Sequence, residues 1–138
     1  MVEETYDGEM STFLDIDTSD AVEPTVVGPG EYRLRIIDCT YARNKNGDPY
    51  LMPLFEIPDE PTSKPFSHYL GLPVDSMDDK TKNTVKWRLE SFQRCFGFSL
   101  KGINISQLVG LEGWALLGVK DDPEYGEQNV IKKYIEPR

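Results

Sequence analysis

Gly30-Glu31-Tyr32-Arg33-Leu34-Arg35-Ile36-Ile37-Asp38-Cys39-Thr40-Tyr41 alternates apolar and polar residues, then breaks its own pattern. Tyr32, Leu34 and Ile36 fall on one face and Arg33 and Arg35 on the other, as in a half-buried strand. After Ile36 the apolar parity moves to Ile37, Cys39 and Tyr41. A parity switch inside one strand predicts a β-bulge or a sharp coil.

The neighbouring segments extend the pattern. Val26-Val27-Gly28-Pro29-Gly30 is the turn that leads into this strand. On its other side, Arg43-Asn44-Lys45-Asn46-Gly47-Asp48 is a hairpin loop with Asn-Gly at its centre. A second strand is expected over Tyr50–Ile57, with Leu51, Phe55 and Ile57 on one face and Tyr50, Met52, Leu54 and Glu56 on the other. Pro53 has no N–H to give a ladder, which predicts an edge strand or a neighbouring bulge. A short third strand follows at Phe66–Leu70. From Thr81 to Phe96, Val85, Leu89, Phe92 and Phe96 form one helical stripe, and Gly97 is its stop. Trp87 and Arg94 lie opposite that stripe, and Ser106–Val109 forms a single further turn. Two strands, Trp114–Lys120 and Asn129–Ile135, close the chain around a polar loop. The order β-β-β-α-β-β predicts an all-β fold with one main helix: a five-stranded Greek-key OB-fold barrel, its helix between strands three and four. A long, bulged first strand fits a barrel in which that strand must serve both sheets. The competing fold is an SH3-like or other small barrel with a helical cap.

At 138 residues the chain falls short of the roughly 150 of a typical domain and is read as one. Its net charge of −9, from 15 Lys+Arg against 24 Asp+Glu, is unevenly spread. Residues 1–24 hold eight acids and no base, so residues 25–138 keep 16 acids against 15 bases and are nearly neutral. The division is therefore an acidic, disordered leader over 1–24 and a barrel domain over 25–138. Phe13, Leu14 and Ile16 sit among the leader's acids, and such a segment can also dock on a basic, apolar groove. No run of about 18 apolar residues exists, so no membrane span or membrane partner is expected. The acidic start Met1-Val2-Glu3-Glu4 is unlike a secretory signal, which points to the cytoplasm. Cys39 and Cys95 fit no metal spacing and are expected to be reduced core residues.

Catalysis finds little to work with. His68 is the one histidine, and no phosphate-loop, zinc-protease or serine-hydrolase motif occurs. Acidic pairs such as Asp78-Asp79 and Asp121-Asp122 are read as solvated turns. The expectation is a protein that is not an enzyme, with no metal and no cofactor.

Gly30-Glu31-Tyr32-x-x-x-Ile36, then Asn46-Gly47-Asp48-Pro49-Tyr50-Leu51 with Phe55-Glu56-Ile57, resembles a family of bacteriophage OB-fold proteins. Its members are single-stranded DNA-binding proteins, or uncharacterised relatives encoded near replication and recombination genes. The helix carrying Trp87, Leu89, Phe92 and Phe96-Gly97 is similar to that family's helix. So are Gly118-Val119-Lys120, Tyr125-Gly126, Asn129-Val130 and Lys132-Lys133-Tyr134. The likeness covers about residues 11–137, including a leader like Phe13-Leu14-Asp15-Ile16-Asp17. It implies a viral protein that binds single-stranded DNA in phage replication or recombination. The acidic loop Asp121–Glu127 departs from it, since a DNA-binding loop there would be basic.

Single-strand binders need cations for phosphates and flat rings for bases. In an OB-fold the ligand crosses strands two and three, between the first and last hairpins. That places Arg33 and Arg35 on strand one, Arg43 and Lys45 in the first loop, and Tyr50 and Met52 on strand two in the expected DNA site. His68 and Tyr69 have opposite parity, so only one of them can face outward. Lys120, Tyr125, Lys132 and Lys133 lie at or beside the last hairpin. Tyr32, Tyr41 and Tyr134 are expected in the core or at the barrel rim, and Trp114, out of phase with its strand, is expected to face outward. Trp87 is open to packing on the leader or on a second subunit. Two functions stand: a sequence-tolerant single-stranded DNA-binding protein, or a protein-interaction module or acidic DNA mimic. In either case the leader is free to recruit a replication or recombination protein, and the chain is a monomer or small homo-oligomer.

Overall fold

The computed structural model describes residues 12–137, so residues 1–11 of the leader lie outside the described residues. The fold is mostly β with one helix. Its strands are β1 (Gly30–Arg43), β2 (Pro49–Glu56), β3 (Phe66–Ser67), β4 (Leu70–Gly71), β5 (Glu112–Asp122) and β6 (Gly126–Ile135). The helix α1 (Asp79–Phe96) lies between β4 and β5, and a 3-10 turn follows it at Ile105–Leu108. All pairings between named strands are antiparallel, in the order β3-β2-β1-β5-β6, with β4 also on β2.

The parity switch in β1 marks a change of partner. Gly30 to Arg35 pairs with β5, and Arg35 to Arg43 pairs with β2. The register shifts between Ile36 and Asp38, which leaves Ile37 as the bulge residue. At the switch the Ile36 N–H donates to Leu111 O (2.9 Å), and Ile36 O accepts from the Gly110 N–H (2.7 Å). Leu34 and Ile36 before the bulge and Cys39 after it all reach the core, as the pattern requires. Tyr41, expected in the core or rim, is instead 61% exposed, although Leu51 opposite it on β2 is buried.

The expected third strand forms in two pieces, so six strands stand where five were anticipated. One register continues through both, Phe55 opposite Phe66 and Leu51 opposite Leu70, with Pro53 and His68 facing each other at the break. The His68 N–H donates to Pro53 O (3.1 Å), and proline has no N–H to return. Pro53 therefore interrupts an inner strand rather than marking an edge, and of the two expected placements it is the one beside a bulge, that of β1 at Ile37. The hydrogen-bonded sheet stays open between β3 and β6.

Asp78 caps α1 by accepting from the Thr81 N–H (2.7 Å), and Gly97 ends it at φ 73°, a left-handed conformation that suits glycine. Val85, Leu89, Phe92, Cys95 and Phe96 of α1 are buried. Phe55 lies at the centre of the core, 5.6 Å from both Phe66 and Phe96 between ring centroids. Gly113 lets α1 approach β5 closely, since a Cβ there would stand 2.8 Å from the Cys95 carbonyl oxygen. Both cysteines are free and buried, and burial pushes each thiol up to about 11. No described helix is long and apolar enough to cross a membrane.

The chain before β1 is stitched to the body. Thr25 bridges Ser63, with Lys64 N donating to Thr25 O (2.8 Å) and Thr25 N to Thr62 O (3.2 Å). Val27 is buried, while residues 12–25 are exposed throughout.

Candidate nucleic-acid interface

β2 sends Leu51, Pro53 and Phe55 inward and leaves Tyr50, Met52 and Leu54 on the outer face. Pairing register puts Tyr69 beside Met52 on that face, and it resolves the parity question: Tyr69 faces out and His68 faces in. The Tyr50 and Tyr69 rings stack with centroids 4.7 Å apart and planes at 25°. Tyr69 keeps 48% of its surface exposed. Its hydroxyl accepts from Asn44 Nδ2 (3.1 Å). Asn44 is also the corner of the first hairpin, its Oδ1 accepting from Asn46 N (2.9 Å) and Asp48 N (3.0 Å). The tyrosine pair and the hairpin are thus one connected unit. Arg43 braces it by donating to Gly47 O (2.8 Å), and Lys45 stands exposed at the tip with no ion pair among the described residues.

Arg33 and Arg35, expected in the DNA site, are both ion-paired. Arg33 pairs with Asp59 (3.0 Å) and Glu112 (2.7 Å). Arg35 pairs with Glu56 (2.7 Å) and Glu112 (3.4 Å). Glu56 and Glu112 are the residues directly opposite Arg35 on its two neighbouring strands. Three carboxylates thus neutralise two guanidiniums, and the hydrogen bonds that Arg33 donates to Asp59, and next to Glu112, hold its pKa above the usual range. A phosphate would have to displace these partners.

His68 also leaves the expected site. Its Nδ1 lies 2.6 Å from the Tyr134 hydroxyl, across the open seam between β3 and β6. Burial, and next the Arg88 charge, push its pKa down to about 4, so the ring is neutral near pH 7. Burial likewise pushes the Tyr134 hydroxyl well above its usual range.

The last hairpin carries Lys120 and Tyr125 outward, Tyr125 being 67% exposed. Asp122 shapes its tip by accepting from the N–H groups of Glu124 (2.8 Å) and Tyr125 (3.0 Å). Lys132 and Lys133 belong to another surface, a cleft of about 630 Å³ between α1 and β6. Trp87 and Arg88 line the same cleft. Trp114, expected to face outward, is 49% exposed.

Sequence reasoning missed Asn44, Arg88 and Asn129, whose buried side chain hydrogen-bonds the Val27 backbone. Arg88 had a readable signal, because Thr84, Trp87, Arg88 and Ser91 follow i, i+3, i+4 and i+7, a second stripe on α1. Comparison with protein-family models and with curated proteins finds no match to this chain.

Proposed function

We propose that this chain is a sequence-tolerant single-stranded DNA-binding protein on an OB-type Greek-key barrel, of the phage replication and recombination kind that its sequence resembles. The strand order β3-β2-β1-β5-β6 supports the barrel, with the helix between the third and fourth strands counted through the Pro53 break. The seam is bridged by the His68–Tyr134 hydrogen bond rather than by a ladder. The observation that carries the reading is the stacked, part-exposed Tyr50–Tyr69 pair on the outer face of β2, tied to the first hairpin through Asn44. Flat rings in such a place offer a base a stacking surface without reading its identity. The test is fluorescence polarisation of labelled oligo-dT at low salt. Saturable binding that falls on replacing Tyr50 and Tyr69 together with Ala supports the reading, and no binding at low salt overturns it.

A second reading, a protein-interaction module or acidic DNA mimic, draws on the carboxylates around Arg33 and Arg35 and on the exposed acids Asp15, Asp17, Asp20 and Glu23 of the leader. It gains if oligo-dT fails to bind while the protein competes with DNA for a nucleic-acid-binding partner.

A further inference from the structure

The cleft between α1 and β6 combines apolar surface with cations. Trp87 is 58% exposed and Leu116 36%, and both line it. Arg88, Arg94, Lys132 and Lys133 surround them. Glu31 and Glu136 are the acids on its rim, and Glu136 lies 3.6 Å from Arg94, whose guanidinium sits over the Trp87 ring. Arg88, Lys132 and Lys133 make no ion pair among the described residues.

The leader is the complement of this surface. Phe13, Leu14 and Ile16 are 78%, 77% and 69% exposed, and Asp15 and Asp17 alternate with Leu14 and Ile16. In an extended segment that alternation puts the two aliphatic side chains on one side and the two carboxylates on the other. The run ends in local order of its own: Ser19 N donates to Asp17 Oδ1 (2.9 Å) and Ala21 N to Thr18 O (3.0 Å).

We infer that the cleft receives the acidic leader of a second copy of this chain. Leu14 and Ile16 meet Trp87 and Leu116, while Asp15 and Asp17 meet Arg88 and Lys133. A second copy is favoured because one chain presents both complementary surfaces: its leader is exposed from Leu14 to Thr25, and no leader residue lines its cleft. The leader's root is pinned at Thr25 and Val27, so the docking segment must be carried by residues 18–24. Extended, these seven residues span at most about 25 Å, enough to cross to a neighbour. Reciprocal exchange between two copies covers both clefts and closes the assembly with two-fold symmetry.

The test is sedimentation velocity across about 1–200 µM protein at low salt, with no DNA present, so its outcome is independent of the DNA-binding reading. The full chain is expected to pass from monomer to dimer. Deletion of residues 1–24, or the pair Arg88→Glu and Lys133→Glu, is expected to hold it at monomer, with circular dichroism confirming the fold. Adding Asp15→Lys and Asp17→Lys to the charge-reversed cleft is expected to restore the dimer. In a Trp114→Phe background, a synthetic peptide of residues 10–21 should change Trp87 emission saturably in the truncated protein and not in the Arg88→Glu, Lys133→Glu variant. A full chain that stays monomeric at every concentration overturns the inference, as does a dimer that survives truncation. Peptide binding with a monomeric full chain overturns it in favour of docking within one chain.

Discussion

The Asn129 side chain clasps the Val27 backbone from both sides. Its Oδ1 accepts from the Val27 N–H (3.0 Å), and its Nδ2 donates to Val27 O (2.9 Å) and to Gly118 O (3.1 Å). Asn129 is the one buried polar residue among the described residues, at 2% exposure, and all three contacts are satisfied within the protein. Asn129→Ala leaves a buried N–H and two buried carbonyls without that partner. The expected cost is about 2–3 kcal/mol, measured by urea denaturation. Asn129→Asp should do no better, since a carboxylate cannot donate to the two carbonyls.

Stacking is tested by size-conserving and truncating changes. Tyr50→Ala should weaken oligo-dT binding by about 1–3 kcal/mol, and Tyr50→Phe should cost little because the ring face survives. Tyr69→Phe separates platform from hairpin: it keeps the ring and removes the acceptor for Asn44. A modest loss there, with Tyr50→Phe unaffected, shows that hairpin order contributes. Equal binding by wild type and a folded Tyr50→Ala protein removes Tyr50 from the interface.

The cations divide by their partners. Lys45→Ala removes an exposed charge at the hairpin tip, one with no ion pair among the described residues, so the slope of log K against log salt should become shallower by about 0.7. Arg35→Ala should leave that slope unchanged, because Glu56 and Glu112 already occupy its guanidinium. A shallower slope in Arg35→Ala would mean that DNA displaces those carboxylates.

These contrasts locate what a single strand's pattern can and cannot reveal. The bulge in β1, the α1 stripe and its Gly97 stop were legible because each is written in local periodicity. The neutralisation of Arg35 was not, because Glu56 and Glu112 become its neighbours only when three strands align. The parity of His68 and Tyr69 fixed that one faces outward; choosing between them required the register across Pro53. Asn129 looks like an ordinary strand residue until Val27 is placed beside it, 102 positions away.

Acid should weaken the fold partly through His68. Its folded pKa of about 4 lies below the ordinary 6.5, so the unfolded chain takes up the proton first. Stability is therefore fully present above about pH 6.5 and declines as pH falls towards 4. Because the ring is only partly buried, the His68 share is discounted to about 1–2 kcal/mol. Carboxylates titrate in the same window, so the measurement is a difference: His68→Phe should flatten the decline relative to wild type. Identical pH profiles would show that protonated His68 finds a partner in the folded state.

Removal of the leader separates its charge from its anchor. Deleting residues 1–24 takes away eight acids and no base but keeps Thr25 and Val27, so the contacts to Ser63, Lys64 and Asn129 remain. Stability should change little. Binding to oligo-dT at low salt should tighten, because a segment that repels phosphate is gone. That gain should fade as salt rises, since at physiological strength screening acts beyond about 8 Å. Deleting four residues more, through Gly28, removes both stitches and strands the Asn129 side chain in the interior. This longer truncation should unfold at markedly lower urea than the shorter one. Equal stability of the two would show that the Val27 clasp contributes nothing, and weaker DNA binding by the shorter truncation would show that the leader holds the strand rather than repelling it.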